Sequence, residues 1–276
     1  MKNTTTIGFI GAGNMAYAII SGLINTGIST QQIKISDTSE SLLSSRKAEF
    51  GLDTFTDNAQ LALQCEVIVL AVKPQALSTV CRQLQGAISA NTLIISIAAG
   101  VRSGDINRWL GDKNAIVRVM PNTPALLNQG ISGLFANEFA NEAQQQMATD
   151  ILSSVGECLW VAEEGLLDAV TALSGSGPAY FFLMIESMTK AGAALGLDEK
   201  TAERLSIKTA LGASMMASAG EDSACELRKK VTSKNGTTQA AIESFQDQDF
   251  EVVVTHAMRA AFDRAGKLAI ELSDLD

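Results

Sequence analysis

The chain has 276 residues, of which 46% are hydrophobic and 18% charged, and its formal net charge at pH 7 is −9. This acidic balance argues against nucleic acid and against an anionic membrane surface as partners, because both carry negative charge themselves. No apolar run reaches the roughly 18 residues of a membrane-spanning helix, and the first residues lack the features of a secretory signal, so we expect a cytoplasmic protein.

The first 160 residues alternate short runs rich in Ile and Val with helix-like stretches. The runs predict strands over residues 6–10, 32–36, 67–70, 93–97 and 116–119, with a last strand over 157–161 closing the sheet edge. Helices are predicted between them, for instance over 14–25 and 40–50. This rhythm predicts an α/β fold with a doubly wound, mainly parallel sheet.

A glycine-rich turn follows the first predicted strand directly. Gly11, Gly13 and Ala16 fit the spacing G-x-G-x-x-G/A between a strand and a helix. In that motif the first glycine permits a tight turn, and the second lets the backbone approach a pyrophosphate at the helix N-terminus. The motif therefore predicts a dinucleotide site.

The end of the second predicted strand leaves the choice of dinucleotide open. Asp37 suits the ribose 2′-hydroxyl of NAD, whereas the hydroxyl groups of Ser36, Thr38 and Ser39 suit the 2′-phosphate of NADP. Alternatively, Asp37 or Ser39 only caps the following helix.

Three later loops are expected at the same edge of the sheet, where ligands bind in open α/β folds. Residues 71–74 end in Lys73, which can meet a ribose hydroxyl or simply be solvated, and Pro74, which starts the next helix. Residues 98–100 and the double-proline segment 120–124 follow the next two strands.

From Glu163 onward the pattern is helical, over 180–195, 199–219, 225–231, 237–245 and 251–272. We therefore divide the chain into a dinucleotide-binding domain (1–162) and a helical domain (163–276). Several of these helices are dense in Ala, Gly and Met, which predicts burial against a second subunit, with packing inside one chain as the alternative.

Histidine and cysteine limit the chemistry that is available. There is one His, and the four cysteines show no C-x-x-C spacing, so we expect reduced cysteines in the core and no metal site. A mechanism must therefore run without a histidine acid or base unless His256 supplies one.

Five segments together resemble the Δ1-pyrroline-5-carboxylate reductase family: GFIGAGNMA, AVKPQ, MPNTP, ALSGSGPAY (172–180) and LRKKVTSKNGTTQAAIESF (227–245). The resemblance implies an N-terminal Rossmann-type domain and a C-terminal all-helical dimerisation domain, whose helices interlock in a homodimer, with a ring of dimers as a further assembly. It also implies hydride transfer from NADPH, or from NADH as the second choice, to the cyclic imine of 1-pyrroline-5-carboxylate, which gives L-proline.

Carried over to this sequence, the resemblance implies a set of cofactor-binding residues: Gly11, Ala12, Gly13, Asn14, Met15, Ser36, Asn58, Ala71, Val72, Lys73, Pro74 and Ala99. The preference of the family for NADPH favours NADP at the second strand, although the Asp37 carboxylate would repel a phosphate beside it.

For the small-molecule substrate, the resemblance points to Ser233, Gly236, Thr237 and Thr238. This segment opens a helix and offers hydroxyl and amide groups to a carboxylate; in the alternative, Thr237 or Thr238 is only a helix cap. The family often has Pro-Gly where this chain has Lys234 and Asn235. Thr238 is the candidate catalytic group, through a hydrogen bond to the ring nitrogen.

Glu164 is a further candidate for substrate binding. Its carboxylate could offset the charge of an iminium, or it could cap a helix.

The sequence also bears on three other functions. A β-hydroxyacid dehydrogenase needs a lysine where this chain has Phe181. A non-catalytic NADP-binding sensor would have no need of the second anion site at 233–238. A reductase of a related cyclic imine carboxylate stays open, because one methylene changes pocket affinity by only ~1–3 kcal/mol.

Overall fold

The structure is a computed structural model that describes residues 5–111 and 113–273. Within these residues, eight strands form one sheet in the order β3-β2-β1-β4-β5-β6-β7-β8. The strands are β1 (Ile7–Ile10), β2 (Ile33–Ser36), β3 (Asp53–Phe55), β4 (Val67–Leu70), β5 (Leu93–Ser96), β6 (Ala115–Met120), β7 (Gly130–Ala136) and β8 (Gly156–Trp160).

All neighbouring strands are parallel except β6 and β7. The strand order turns back between β1 and β4, which is the crevice where dinucleotides bind in this architecture. The predicted doubly wound sheet is confirmed, including the edge strand β8. The predictions missed β3, which has only three residues, and β7, whose two glycines weaken the strand signal.

The described residues also include twelve α-helices. They are α1 (Asn14–Asn25), α2 (Glu40–Phe50), α3 (Asn58–Ala62), α4 (Leu77–Leu84), α5 (Ser103–Leu110), α6 (Glu142–Leu152), α7 (Leu166–Val170), α8 (Gly177–Ala194), α9 (Glu199–Ala219), α10 (Ala224–Lys230), α11 (Thr237–Asp247) and α12 (Phe250–Ser273).

Side chains of the sheet alternate between two hydrophobic cores. In β4, Val67 and Val69 join the core under α1, α2 and α6, while Ile68 and Leu70 join the core under α3, α4 and α5. This period of two, with both faces covered, is the reason why the strands read as continuous apolar runs. The carboxyl ends of the six mutually parallel strands, β1 to β6, are thereby held at one edge of the sheet.

The chain divides into two compact units, and the division does not follow the predicted boundary. The first unit contains the residues up to Ser176 and those from Ala261 onward, and the second contains Gly177–Ala260. Residues after 162 join the first unit because α7 packs on β7, where Gly133 meets Leu167 and Val170. The boundary at 162/163 stays a prediction.

The second unit has almost no core of its own. Of its 84 residues, all of which the structure describes, only Gly177, Ala202 and Ser206 are buried. Large apolar side chains are exposed on α8 and α9, among them Phe181, Phe182 and Leu211. A cavity of about 950 Å³ lies between α8, α10, α11 and α12, and Met188, Phe245 and Phe250 help to line it. A segment of this kind needs a partner surface, because a monomer rarely leaves so much apolar area open.

Candidate active site

The glycine loop after β1 is held tightly against the neighbouring strand ends. The Gly11 amide donates to the carbonyl oxygen of Ser36 at 2.8 Å. Gly11 has φ +107°, and a Cβ atom there would lie 2.5 Å from the carbonyl oxygen of Ala71. Only glycine fits this turn, because an L-residue would meet both an unfavourable φ and the backbone of residue 71.

The N-terminus of α1 is open. Gly13 occupies the N-cap position, no side chain caps the helix, and its first turn contains no acidic residue. A Cβ atom at Gly13 would find nothing within 4 Å. The amides of the first turn, from Asn14 to Ala16, can therefore receive an anion, and the helix dipole favours its negative charge.

The half-buried side chain of Asp37, at the end of β2, accepts hydrogen bonds from two backbone amides. One carboxylate oxygen accepts from the Ala12 amide at 2.7 Å, and the other accepts from the Ser39 amide at 2.8 Å. Ser39 in turn caps α2 by accepting from the Leu42 amide. Asp37 thus ties the glycine loop to the start of α2, and the helix-capping alternative holds for Ser39.

Ser36 and Asn58 form a hydrogen-bonded pair beside Asp37. The Ser36 hydroxyl is fully buried and donates to the Asn58 side chain at 2.8 Å. The Asn58 amide group donates to Gln83 at 3.0 Å. The two side chains are therefore adjacent, and the buried Ser36 hydroxyl is engaged with Asn58; their role at a 2′-phosphate stays a prediction.

The loops after β4 and β5 also lie at the carboxyl edge of the sheet. The Ala71 amide donates to the carbonyl oxygen of Ile10, and Lys73 is exposed at the strand exit. Pro74 starts a short 3-10 helix (Pro74–Ala76) that leads into α4. Val72 and Ala99 are half-buried, and Gly100, with φ +81°, packs on Leu268 and Leu272 of α12.

The double-proline segment is joined to a π-helical turn at Thr171–Gly175. Asn122 accepts from the Ile131 amide at 3.0 Å and donates to the carbonyl oxygen of Ser174 at 3.2 Å. A Cβ atom at Gly175 would lie 2.4 Å from Met120, so the turn is pressed against this segment.

Glu164 does not cap its own helix, and its charge is already paired. Its Oε1 accepts from Arg118 Nη1 at 2.8 Å and from the amide of Ser103, the first residue of α5, at 2.6 Å. The helix that it caps is therefore α5, which lies 61 residues earlier in the chain. Arg118 therefore already compensates the charge that would face an iminium, and the role of Glu164 in substrate binding stays a prediction.

Two further charges, which were not among the predicted site residues, accompany this pair. Arg102 donates to Asp168 at 2.5 Å, and Asp168 is largely buried. The signal that could have revealed the group is Arg118 itself, a charge inside the apolar run Ala115–Met120. A buried arginine needs a carboxylate, since an unpaired charge in the interior is costly.

The segment 233–238 lies in the second unit and opens α11. Gly236 is the N-cap, no side chain caps the helix, and its first turn carries no acidic residue. Thr237 and Thr238 are thus the first two helical residues, and neither is the cap that the alternative proposed. Asn235 has φ +58°, the left-handed conformation that glycine adopts easily. Its backbone amide donates to the side-chain oxygen of Gln239 at 2.7 Å.

The predicted cofactor residues all lie in the first unit, at the carboxyl ends of β1, β2, β4 and β5 or at the starts of α1 and α3. Of the predicted substrate residues, Glu164 is in the first unit and Ser233, Gly236, Thr237 and Thr238 are in the second.

The part of the chain that the structure describes has no cluster of His, Cys, Asp or Glu able to hold a metal ion and no helix long and apolar enough to cross a bilayer. The cysteines are free, with Cys65 and Cys81 buried but Cys225 exposed, so the expectation of core cysteines is wrong for Cys225.

Comparison with known proteins places the chain among reductases. Residues 164–268 match the family model described as pyrroline-5-carboxylate reductase dimerisation, and residues 6–100 match the model described as NADP oxidoreductase, coenzyme F420-dependent. The pyrroline-5-carboxylate reductase of Pseudomonas aeruginosa is 49% identical over 98% of this chain and 99% of its own length.

Solved structures agree with this placement. The pyrroline-5-carboxylate reductase of Coxiella burnetii has a TM-score of 0.93 and 42% identity, covering 96% of this chain and 99% of its own. The NADP-bound pyrroline carboxylate reductase of Plasmodium falciparum has a TM-score of 0.86 and 29% identity, covering 97% and 99%. The glycine loop and the helical second unit agree with this similarity along the whole chain. The chain therefore belongs to the pyrroline-5-carboxylate reductase family.

Proposed function

We propose that this protein reduces 1-pyrroline-5-carboxylate to L-proline with NADPH. The observation that carries the proposal is the 49% identity over 98% of the chain to an enzyme of that name. The residues of the chain give it a physical basis, because two separate helix N-termini are free to take anions. A dinucleotide pyrophosphate and a substrate carboxylate would each suit one of these sites.

The residues at the glycine loop fit a dinucleotide. The open space at Gly13 and the uncapped amides of Asn14 and Met15 would receive the pyrophosphate. Ala71, Val72, Lys73, Pro74 and Ala99 would line the nicotinamide half, since the loops after β4 and β5 follow the switch in strand order. The reduced nicotinamide supplies the hydride when it is bound.

We propose NADPH as the preferred cofactor and NADH as a usable one. The preference is supported by the NADP-bound relative from Plasmodium falciparum. Use of NADH is supported by Asp37, whose carboxylate stands at the end of β2, where it disfavours a 2′-phosphate. Ser36 would act indirectly, by holding Asn58 at the start of α3.

The segment 233–238 would hold the substrate carboxylate. The amides of Thr237 and Thr238, together with the hydroxyl of Ser233, point to carboxylate binding at an uncapped helix start. The backbone of Gly236 leaves this helix start uncovered. We assign Thr238 a hydrogen bond to the ring nitrogen, either directly or through a water molecule.

The chain needs to supply little acid–base chemistry. A protonated cyclic imine already accepts hydride at its imine carbon, so the residues mainly anchor the carboxylate, align the ring and exclude water. Such alignment can contribute several kcal/mol to lowering the barrier. This agrees with a chain that has one histidine.

The matched dimerisation model supports a homo-oligomer. We propose a homodimer in which the helices of the second unit interlock and cover the apolar faces of α8 and α9, with a ring of dimers as a further assembly. Activity would then require the dimer. A cytoplasmic location remains a prediction.

The proposal is tested by mixing the purified protein with 1-pyrroline-5-carboxylate and NADPH that carries deuterium at the transferred position. We expect oxidation of the cofactor and proline that contains one deuterium on Cδ, which is the ring carbon next to nitrogen that does not carry the carboxylate. A parallel reaction with NADH measures the cofactor preference, and a six-membered cyclic imine carboxylate tests the related-imine alternative. NADPH binding without any oxidation would instead support the sensor function and contradict the proposal.

A further inference from the structure

Four charges form a compact cluster in the first unit, at the loop that follows β5. The four-charge cluster consists of Arg102, Arg118, Glu164 and Asp168. Arg118 stands in β6 beside Ser96 of β5, with its side chain 5% exposed, and it pairs with Glu164. Arg102 precedes α5 and pairs with Asp168 of α7, which is 10% exposed. Burial lowers the pKa of Arg118, and the Glu164 carboxylate opposes that shift.

The cluster fixes both the side chains and the backbone of this loop. Glu164 Oε1 accepts from the Ser103 amide, where no nearby side chain caps α5. Arg102 Nη1 also donates to the carbonyl oxygen of Glu164 at 3.4 Å. The end of the loop 98–102 is thereby attached to residues 164–168, while Gly100 packs on Leu268 and Leu272.

This loop belongs to the nicotinamide side of the cofactor site. The adenosine half of a dinucleotide lies over the end of β2, so the other half extends across the switch in strand order toward β4 and β5. The loop 98–102 leaves β5 at that edge. A displacement of the start of α5 would therefore change the nicotinamide site and leave the adenosine site at β2 untouched.

We propose that Glu164 and Arg118 are positioning residues for the nicotinamide half of the cofactor, acting through the Ser103 amide and the loop 98–102. The inference rests on the proposed use of NADPH. It gives Glu164 a different task from binding the substrate: the carboxylate holds α5 in place and compensates a buried arginine. Removing its charge leaves buried Arg118 without its hydrogen-bonded counter-charge, which forces local rearrangement at the loop.

The test separates the two halves of the cofactor. Titration calorimetry measures the Kd of NADPH and the Kd of 2′,5′-ADP, which carries the adenosine half alone, for the wild type, for Glu164→Gln and for Glu163→Gln. The Glu163 variant removes the same charge from an exposed neighbouring position. For Glu164→Gln we expect the Kd of NADPH to rise at least tenfold and the Kd of 2′,5′-ADP to change less than twofold. Glu163→Gln should change neither.

Kinetics provide the second readout. In Glu164→Gln the KM for NADPH should rise at least tenfold, while the KM for the imine changes less than threefold. A raised KM for the imine with unchanged NADPH binding would overturn the inference in favour of direct substrate contact. Equal losses for NADPH and 2′,5′-ADP would overturn it in favour of general destabilisation, and an unchanged Kd for both would show that the pair has no role at the cofactor.

A second variant keeps the inference testable if Glu164→Gln does not fold. Glu164→Asp retains the charge beside Arg118, but its side chain is one methylene too short to keep both bonds. Glu164→Asp should raise the ratio of the Kd of NADPH to the Kd of 2′,5′-ADP at least threefold, and an unchanged ratio would overturn the inference. A wild-type protein that binds NADPH but does not reduce the imine would contradict the proposed function and leave these binding results interpretable.

Discussion

Substitution of the two loop glycines by alanine should separate folding from cofactor binding. In Gly11→Ala the new Cβ would lie 2.5 Å from the carbonyl oxygen of Ala71, at a residue with φ +107°. Backbone strain of this kind costs about 1–3 kcal/mol, and the overlap with a backbone atom adds to it. We therefore expect Gly11→Ala to lower the free energy of unfolding by at least about 2 kcal/mol.

Gly13→Ala should change the stability little but weaken the binding of NADPH strongly. Its Cβ would meet nothing within 4 Å in the protein, so the only structural cost is a poorer N-cap, about 1 kcal/mol. That Cβ would occupy the space above the open amides of α1. Losing two charge-assisted hydrogen bonds to a pyrophosphate costs about 3 kcal/mol or more, which raises the Kd of NADPH over 100-fold.

The assay combines urea unfolding with calorimetric titration of NADPH for both variants and the wild type. Wild-type affinity in Gly13→Ala would refute the placement of the pyrophosphate over α1. Wild-type stability in Gly11→Ala would refute the close approach of the loop to residue 71.

Three further predictions follow from single residues. Burial raises the pKa of the Cys65 and Cys81 thiols from 9.0 to about 12, so each stabilises the fold below pH 9 and loses that contribution as the pH rises toward 12. Between pH 8 and pH 10, urea unfolding should show the wild type losing roughly 3 kcal/mol more than a Cys65→Ala/Cys81→Ala variant; equal losses would refute the pKa shift. Asn235→Gly should retain full stability, whereas Asn235→Val should unfold about 1–2 kcal/mol more easily because of the left-handed φ, and equal urea midpoints would contradict this. Thr238→Ala should lower kcat about tenfold through the lost hydrogen bond while the Kd of NADPH stays constant; unchanged kcat would exclude its role at the ring nitrogen.

Local sequence signals predicted the regular elements well. The bounds of α1, α2 and α9 agree with the predictions, and α2 and α9 each begin directly after a capping side chain, Ser39 and Asp198. The glycine loop was also predictable, because its spacing reflects a backbone geometry that lies within six residues. Strands β3 and β7 were missed because short or glycine-containing strands depend on pairing with neighbours for their identity.

Contacts between distant residues could not be predicted in the same way. The cap of α5 by Glu164 and the bonds of Asp37 to the glycine loop join residues 61 and 25 positions apart. Nothing in the local pattern around Glu164 indicates Arg118 as its partner. The sequence did contain one usable signal, a charge in a buried strand, which requires a partner without identifying it.

The most direct test of the account is a crystal structure of the protein with NADP⁺ and a non-reducible five-membered ring that carries a carboxylate. We predict that the nicotinamide C4 atom lies about 3–3.5 Å from the ring carbon that is next to nitrogen and does not carry the carboxylate. The carboxylate should accept hydrogen bonds from the backbone amides of Thr237 and Thr238. A bound ring whose carboxylate is held elsewhere, with the 233–238 segment far from every nicotinamide in the assembly, would contradict the account.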